Sequence, residues 1–269
     1  MKLVTYRLAD FEGSETIALG ALRHDQVVRL DVSTRHDHHG LGSVEEYLSG
    51  LPGTQQRAKS IAGDSSDPGV PLAEVHLYPP IAHPKTVLVC RPTDDGIVTE
   101  PVKHPVITGH GDAIPASGQG TVRFGLRPQL GLVTPREMRL PLEHIEPAAY
   151  VLFNEVHIHD LESGEDSAVI GLGPYLVTPD EIPDPRALDV RVTFDRRDAW
   201  HGTTAYLHSP AEILFELQRK FQFEPGTLIG MGPLPGSFGV DGAEWLGPGE
   251  TFTVAIDGLG ELTQHLGSH

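Results

Sequence analysis

The amino-acid sequence predicts a mixed, β-rich α+β fold. Thirty Gly and 23 Pro among 269 residues cut the chain into short segments, which suits strands and turns better than a helical bundle. Strict apolar/polar alternation appears in Val156 to His159, the end of the run YVLFNEVHIHD from Tyr150 to Asp160, and alternation with period two is the mark of a strand. With 39% hydrophobic and 21% charged residues, the chain has the composition of a globular protein able to bury a full core.

Taken in order, Leu3–Leu8, Thr16–Leu22 and Gln26–Val32 read as an N-terminal meander, the last two joined by the short polar turn Arg23-His24-Asp25. The following RHDHHG segment carries His36, Asp37, His38 and His39 among turn residues and reads as a solvated loop. Ser43 with Glu46 three residues later is a capping box for a short helix through Leu51, stopped by Pro52 and Gly53, and a second short helix covers Thr54–Ala62. The polar, turn-rich stretch Gly63–Gly69 is the expected boundary between a small N-terminal β domain, 1–69, and a larger domain, 70–269. Leu77–Ile81 and Thr86–Cys90 read as strands separated by His83 and Pro84, with Cys90 a small core residue. From Arg91 to Pro115 the chain reads as a long irregular loop dense in titratable groups, among them Asp94, Asp95, Glu100, His104, His110 and Asp112. Such a loop is either functional or a flexible acidic surface.

Charge narrows the partners. Twenty basic against 37 acidic residues give a net charge of −17, a field that repels nucleic acid and anionic membranes. The single cysteine rules out an internal disulfide framework. The first residues hold no signal-peptide core, and no apolar run approaches the ~20 residues of a membrane helix. A cytoplasmic protein acting on a small molecule is the expectation. No Gly-Lys-Ser/Thr phosphate loop and no Cys-x-x-Cys occur, and GLGP at Gly171 lacks the helix that a dinucleotide loop opens.

The stretch with most chemistry is Tyr150–Asp160. On an extended strand, Glu155, His157 and His159 project to one face and Val156 and Ile158 to the other. A carboxylate and two imidazoles held rigidly at that spacing could move protons or hold a metal ion. The same pattern also fits a polar face turned to water.

Several C-terminal segments, in order, resemble the fumarylacetoacetate hydrolase superfamily: Gly171–Pro185, the helix SPAEILFELQRKF, the turn EPGTLIGMGPLPG and LGPGETFTVAIDGLGELTQ. The LYPPIAHPKTVLVC segment and the opening strands fit the same order. The resemblance implies a small N-terminal β domain followed by a mixed β-roll, usually assembled as a homodimer. It also implies isomerase, lyase, decarboxylase or hydrolase chemistry on β-dicarbonyl compounds or 2-oxo acids. In that family three carboxylates hold a magnesium, calcium or manganese ion that stabilises an enolate.

Here the resemblance places Arg127 and Gln129 where two of those carboxylates belong and Glu155 at the third. An arginine cannot ligate a hard cation, so the magnesium site is expected to be lost and no cofactor is needed. A first-row transition metal on Glu155, His157 and His159 is the alternative. The segment that supplies the family's water-activating His and Glu leaves Gly96 near the first position and Glu100 near the second. On this reading Arg127 supplies the fixed positive charge, His157 or His159 the acid/base group, and Glu155 tunes the imidazole. Trp200 and His201, with Gln129, His110 and Arg91, are the expected substrate contacts. The competing expectation is a catalytically inactive protein of the same fold that binds a ligand or serves as a structural partner.

Overall fold

The computed structural model describes every residue except 9–16, 32–39, 94–95, 116–121, 136–145, 165, 196, 235–244 and 268–269, together with the side chains of 92 and 197–199. The cluster His36, Asp37, His38 and His39 lies outside the described residues.

Strands β1 (Lys2–Leu8), β2 (Ala18–Arg23) and β3 (Gln26–Arg29) open the chain, followed by helices α1 (Val44–Ser49) and α2 (Gly53–Ala62) and strands β4 (Val70–Pro71) and β5 (Val75–Tyr78). Next come β6 (Val87–Thr93), β7 (Gly96–Pro101), β8 (Val106–Thr108) and β9 (Ala113–Ile114), then the two long strands β10 (Val122–Val133) and β11 (Ala149–Asp160). The chain continues through β12 (Asp166–Leu172), β13 (Leu176–Val177), β14 (Asp189–Phe194), β15 (Arg197–Thr203), helix α3 (Pro210–Gln218), β16 (Leu228–Gly230), β17 (Thr251–Ile256) and β18 (Gly260–Leu266).

The β-rich expectation holds. Ser43 caps α1 by accepting from the Glu46 amide, as its spacing predicts, while the Glu46 carboxylate reaches the Gly42 amide one residue further back. One expectation is corrected: Arg91–Pro115 is no irregular loop, because β6 runs on to Thr93 and β7, β8 and β9 occupy much of the rest. Among the described residues strand β7 pairs only with β6, and all six of its residues are partly or fully exposed. An edge strand needs few apolar residues, so its hydrophobic pattern is weak.

A 13-stranded sheet runs in the order β4-β3-β2-β1-β13-β11-β10-β16-β6-β7, with β12 and β8 attached beside β11 and β5 beside β1. A second sheet has the order β15-β14-β17-β18-β9. The largest core joins one face of β10 and β11, through Leu126, Leu130, Val156 and Ile158, to Val192, Phe252 and Val254 of the second sheet and to Ile213 and Leu217 of α3. The opposite face, with Val151, Phe153 and Ile170, packs in a second cluster with Tyr47 and Leu48 of α1. Helix α3 owes its start to a capping box in which Ser209 and Glu212 satisfy each other's backbone amides, with Pro210 in the first turn. No helix among the described residues is long and apolar enough to cross a membrane.

Candidate functional site

Strands β10 and β11 pair antiparallel along all 12 residues of each. The register sets Arg127 opposite Glu155, Gly125 opposite His157 and Arg123 opposite His159, so the two charged residues share one face at contact distance. Strand β6 adds Arg91. Its neighbour β16 ends at Gly230, level with Val89, two residues short of Arg91, and the Arg91 guanidinium reaches the β11 carboxylate.

Glu155 is buried, and both its oxygens are taken. Arg91 donates to Oε1 at 2.8 Å and to Oε2 at 3.1 Å, and Arg127 Nη1 donates to Oε1 at 3.5 Å. A bidentate fork of this kind is the strong form of an ion pair. Two guanidinium groups against one carboxylate leave this end of the site with a surplus positive charge. It forms one end of a cleft of about 550 Å³ that His157 also lines, within the size range of small-molecule sites.

The imidazoles turn to a different carboxylate. His157 Nε2 lies 3.2 Å and His159 Nδ1 2.7 Å from the same Asp166 oxygen. The hydrogen bond from His159 holds the Asp166 carboxyl below its usual range. Burial, and then the positive charge of Arg127, push the His157 pKa down, against the opposing pull of Asp166 and Glu155. Trp245 stands over both rings, with centroids 5.9 Å from each. It is brought there by the bridge between Leu246 and Phe124, which lies one residue before the position facing His157.

The donors present do not suit the hard cation that the fold implies. Magnesium and calcium need free oxygen ligands at about 2.0–2.6 Å, yet both Glu155 oxygens face guanidinium nitrogens. Gln129 is fully buried, its amide oxygen accepts from the Gly232 amide at 2.9 Å, and its amide nitrogen donates to the Arg127 carbonyl at 3.4 Å. Nor do Glu155, His157 and His159 converge, since the acid faces the arginines and the imidazoles face Asp166.

The structure thus gathers Arg91, Arg127, Glu155 and His157 at one cleft, with His159 bonded to the Asp166 of its rim. Glu100 stands outside, its carboxylate 4.0 Å from Arg91 Nε. The other expected contacts do not line the cleft. His110 Nδ1 lies 3.1 Å from the Glu261 carbonyl and 3.3 Å from the Thr263 amide, and Trp200 and His201 belong to β15 in the second sheet, Trp200 packing on the main core. Sequence reasoning missed Asp166 and Trp245. The Asp166 signal is faint: β12 follows β11 by a short turn, which sets Asp166 opposite His159. No local pattern points to Trp245.

The family described as fumarylacetoacetate (FAA) hydrolase C-terminal matches residues 105–266. An uncharacterised protein of Staphylococcus aureus (strain USA300) is 22% identical over 232 residues, which is 76% of each chain. Maleylpyruvate hydrolase from Sphingobium sp. SYK-6, in complex with manganese(II) and pyruvate, superposes with a TM-score of 0.72 at 15% identity over 100% of both chains. The 2-hydroxyhepta-2,4-diene-1,7-dioate isomerase of Mycobacterium marinum superposes with a TM-score of 0.68 at 19% identity, over 99% of this chain and 98% of that one. At such identities the likeness is one of fold.

Proposed function

The chain belongs to the fumarylacetoacetate hydrolase family, and from that premise we propose that it is an enzyme moving a proton beside the carbonyl of a small 2-oxo or β-dicarbonyl acid, with guanidinium charge in place of the cation. The observation that carries this reading is the closure of Arg91 and Arg127 on Glu155 in the cleft that His157 lines.

His157 is the base. Asp166, held ionised, can only accept a hydrogen bond, so the contact with Nε2 places the imidazole proton there and leaves Nδ1 basic. Nδ1 takes a proton from the carbon next to the substrate carbonyl, and negative charge grows on the carbonyl oxygen. Arg127, whose single contact with Glu155 is long, supplies positive charge for that oxygen. Arg91 is consumed by its bidentate bond and acts as a positioning residue that holds Glu155. Return of the proton to another carbon gives isomerisation, and loss of a leaving group gives dehydration. Hydrolysis of a C–C bond is disfavoured because the water-activating pair is broken: Gly96 stands near the position of its histidine, and Glu100, near that of its acid, is exposed beside Arg91.

Deuterium uptake at C3 of pyruvate and longer 2-oxo acids in D2O, followed by proton NMR, tests this. Exchange is expected with the native protein and is expected to slow about a hundredfold in His157→Gln, the usual scale for loss of a positioned base. The same loss is expected in Arg127→Met. Exchange unchanged in the double variant would remove the enzymatic reading. Binding with no exchange would leave the second reading, a ligand-binding protein, which the engagement of both Glu155 oxygens favours because no carboxylate base is left free there.

Since burial and Arg127 lower the His157 pKa, its base form predominates at neutral pH. Exchange is therefore expected to be flat above neutrality and to fall as pH drops through that lowered value, below the usual 6.5 of imidazole. A profile that rises toward acid would contradict the assignment. Dialysis against EDTA is expected to leave exchange intact. A loss restored by magnesium or manganese would show that a cation, not Arg127, carries the charge. Assembly as a homodimer is proposed with this function and is checked by sedimentation equilibrium.

A further inference from the structure

We propose that the cleft selects a 2-oxo acid with one carboxylate and an uncharged apolar arm, and rejects one whose arm ends in a second carboxylate. The inference rests on the 2-oxo acid reading above and adds the nature of the arm.

The charge is unevenly placed. At one end, Arg91 and Arg127 face the single negative charge of Glu155, which leaves one positive charge for one anionic head group. Elsewhere in the lining the positive surplus is gone: Lys103 is balanced by Asp166, 57% exposed, while Glu100, 64% exposed, flanks Arg91 from outside the cleft. A second carboxylate leaving the arginines would meet these acids in a protein of net charge −17, and like charges brought together cost binding.

Much of the remaining lining is apolar. Val102, Val106, Pro115 and Ala168 belong to it. Val106 is 46% exposed although it sits within strand β8, and a large aliphatic side chain left open beside charged groups is surface that a ligand can cover. A carboxylate on the arm would have to give up its water against these side chains with no partner on them, whereas an alkyl or aryl arm would cover them.

The matched pair 2-oxohexanoate and 2-oxoadipate, equal in carbon chain and different in the terminal carboxylate, isolates the question. Dissociation constants from isothermal titration with the native protein are expected to favour 2-oxohexanoate about tenfold or more, the scale at which pockets discriminate such differences. Val106→Lys, a change at an exposed position that sets a cation on the apolar wall, is expected to abolish that preference. Tighter or equal binding of 2-oxoadipate, weakened in Lys103→Ala, would overturn the proposal while leaving the 2-oxo acid site in place. Should neither acid bind, or both bind unchanged in Arg127→Met, the head-group site fails and this inference falls with it.

Discussion

Arg91→Met is expected to lower the stability of the folded protein by about 3 kcal/mol, the lower end of the range for breaking a buried ion pair. The Glu155 side chain is 6% exposed and that of Arg91 28%, so the variant strands a carboxylate away from water with only the 3.5 Å contact of Arg127 left. That remaining contact, and the solvent reaching Arg91, keep the loss from being larger. Glu155→Gln in the same background is expected to recover much of it, because the stranded charge goes with it. Urea unfolding of the single and double variants measures the coupling directly. A loss below about 0.5 kcal/mol, typical of an exposed pair, would mean that Arg91 is not what holds the carboxylate. The variant also frees the Glu155 oxygens to capture Arg127, so affinity for 2-oxo acids is expected to fall.

Phe153→Ala is expected to cost about 3–5 kcal/mol, the range for truncating a buried aromatic residue. Phe153 is fully buried in the middle of β11. Its ring lies where two glycines clear the space: a Cβ at Gly131 would come within 3.0 Å of the Phe153 Cβ, and one at Gly230 within 3.3 Å of its Cε1. These glycines sit on β10 and β16, so one side chain ties together the three strands that lead to the arginine pair. Loss of the ring leaves a cavity among them. Thermal and urea unfolding check the magnitude. A cost under about 1 kcal/mol would show that the surrounding side chains collapse into the space.

Much of the frame was legible in the sequence because it rests on local chemistry. The paired faces of β11 follow from alternation: Val156 and Ile158 enter the core while Glu155 and His157 face the cleft. The α1 cap follows from Ser43 and its distance to Glu46. The strands of Arg91–Pro115 were not legible, since β7 lies at a sheet edge and none of its residues is fully buried.

The sequence by itself determined which groups share a strand face, because covalent geometry sends every second side chain the same way. That Glu155 lies on a strand follows in the same way, whereas Arg127 was placed only by the family resemblance. Only the tertiary structure decided their partners. Glu155 meets Arg91 across 64 residues of chain, and the imidazoles meet Asp166 instead of Glu155. Strand register and order make those choices, and they arise from the packing of the whole sheet, which no short stretch of residues encodes.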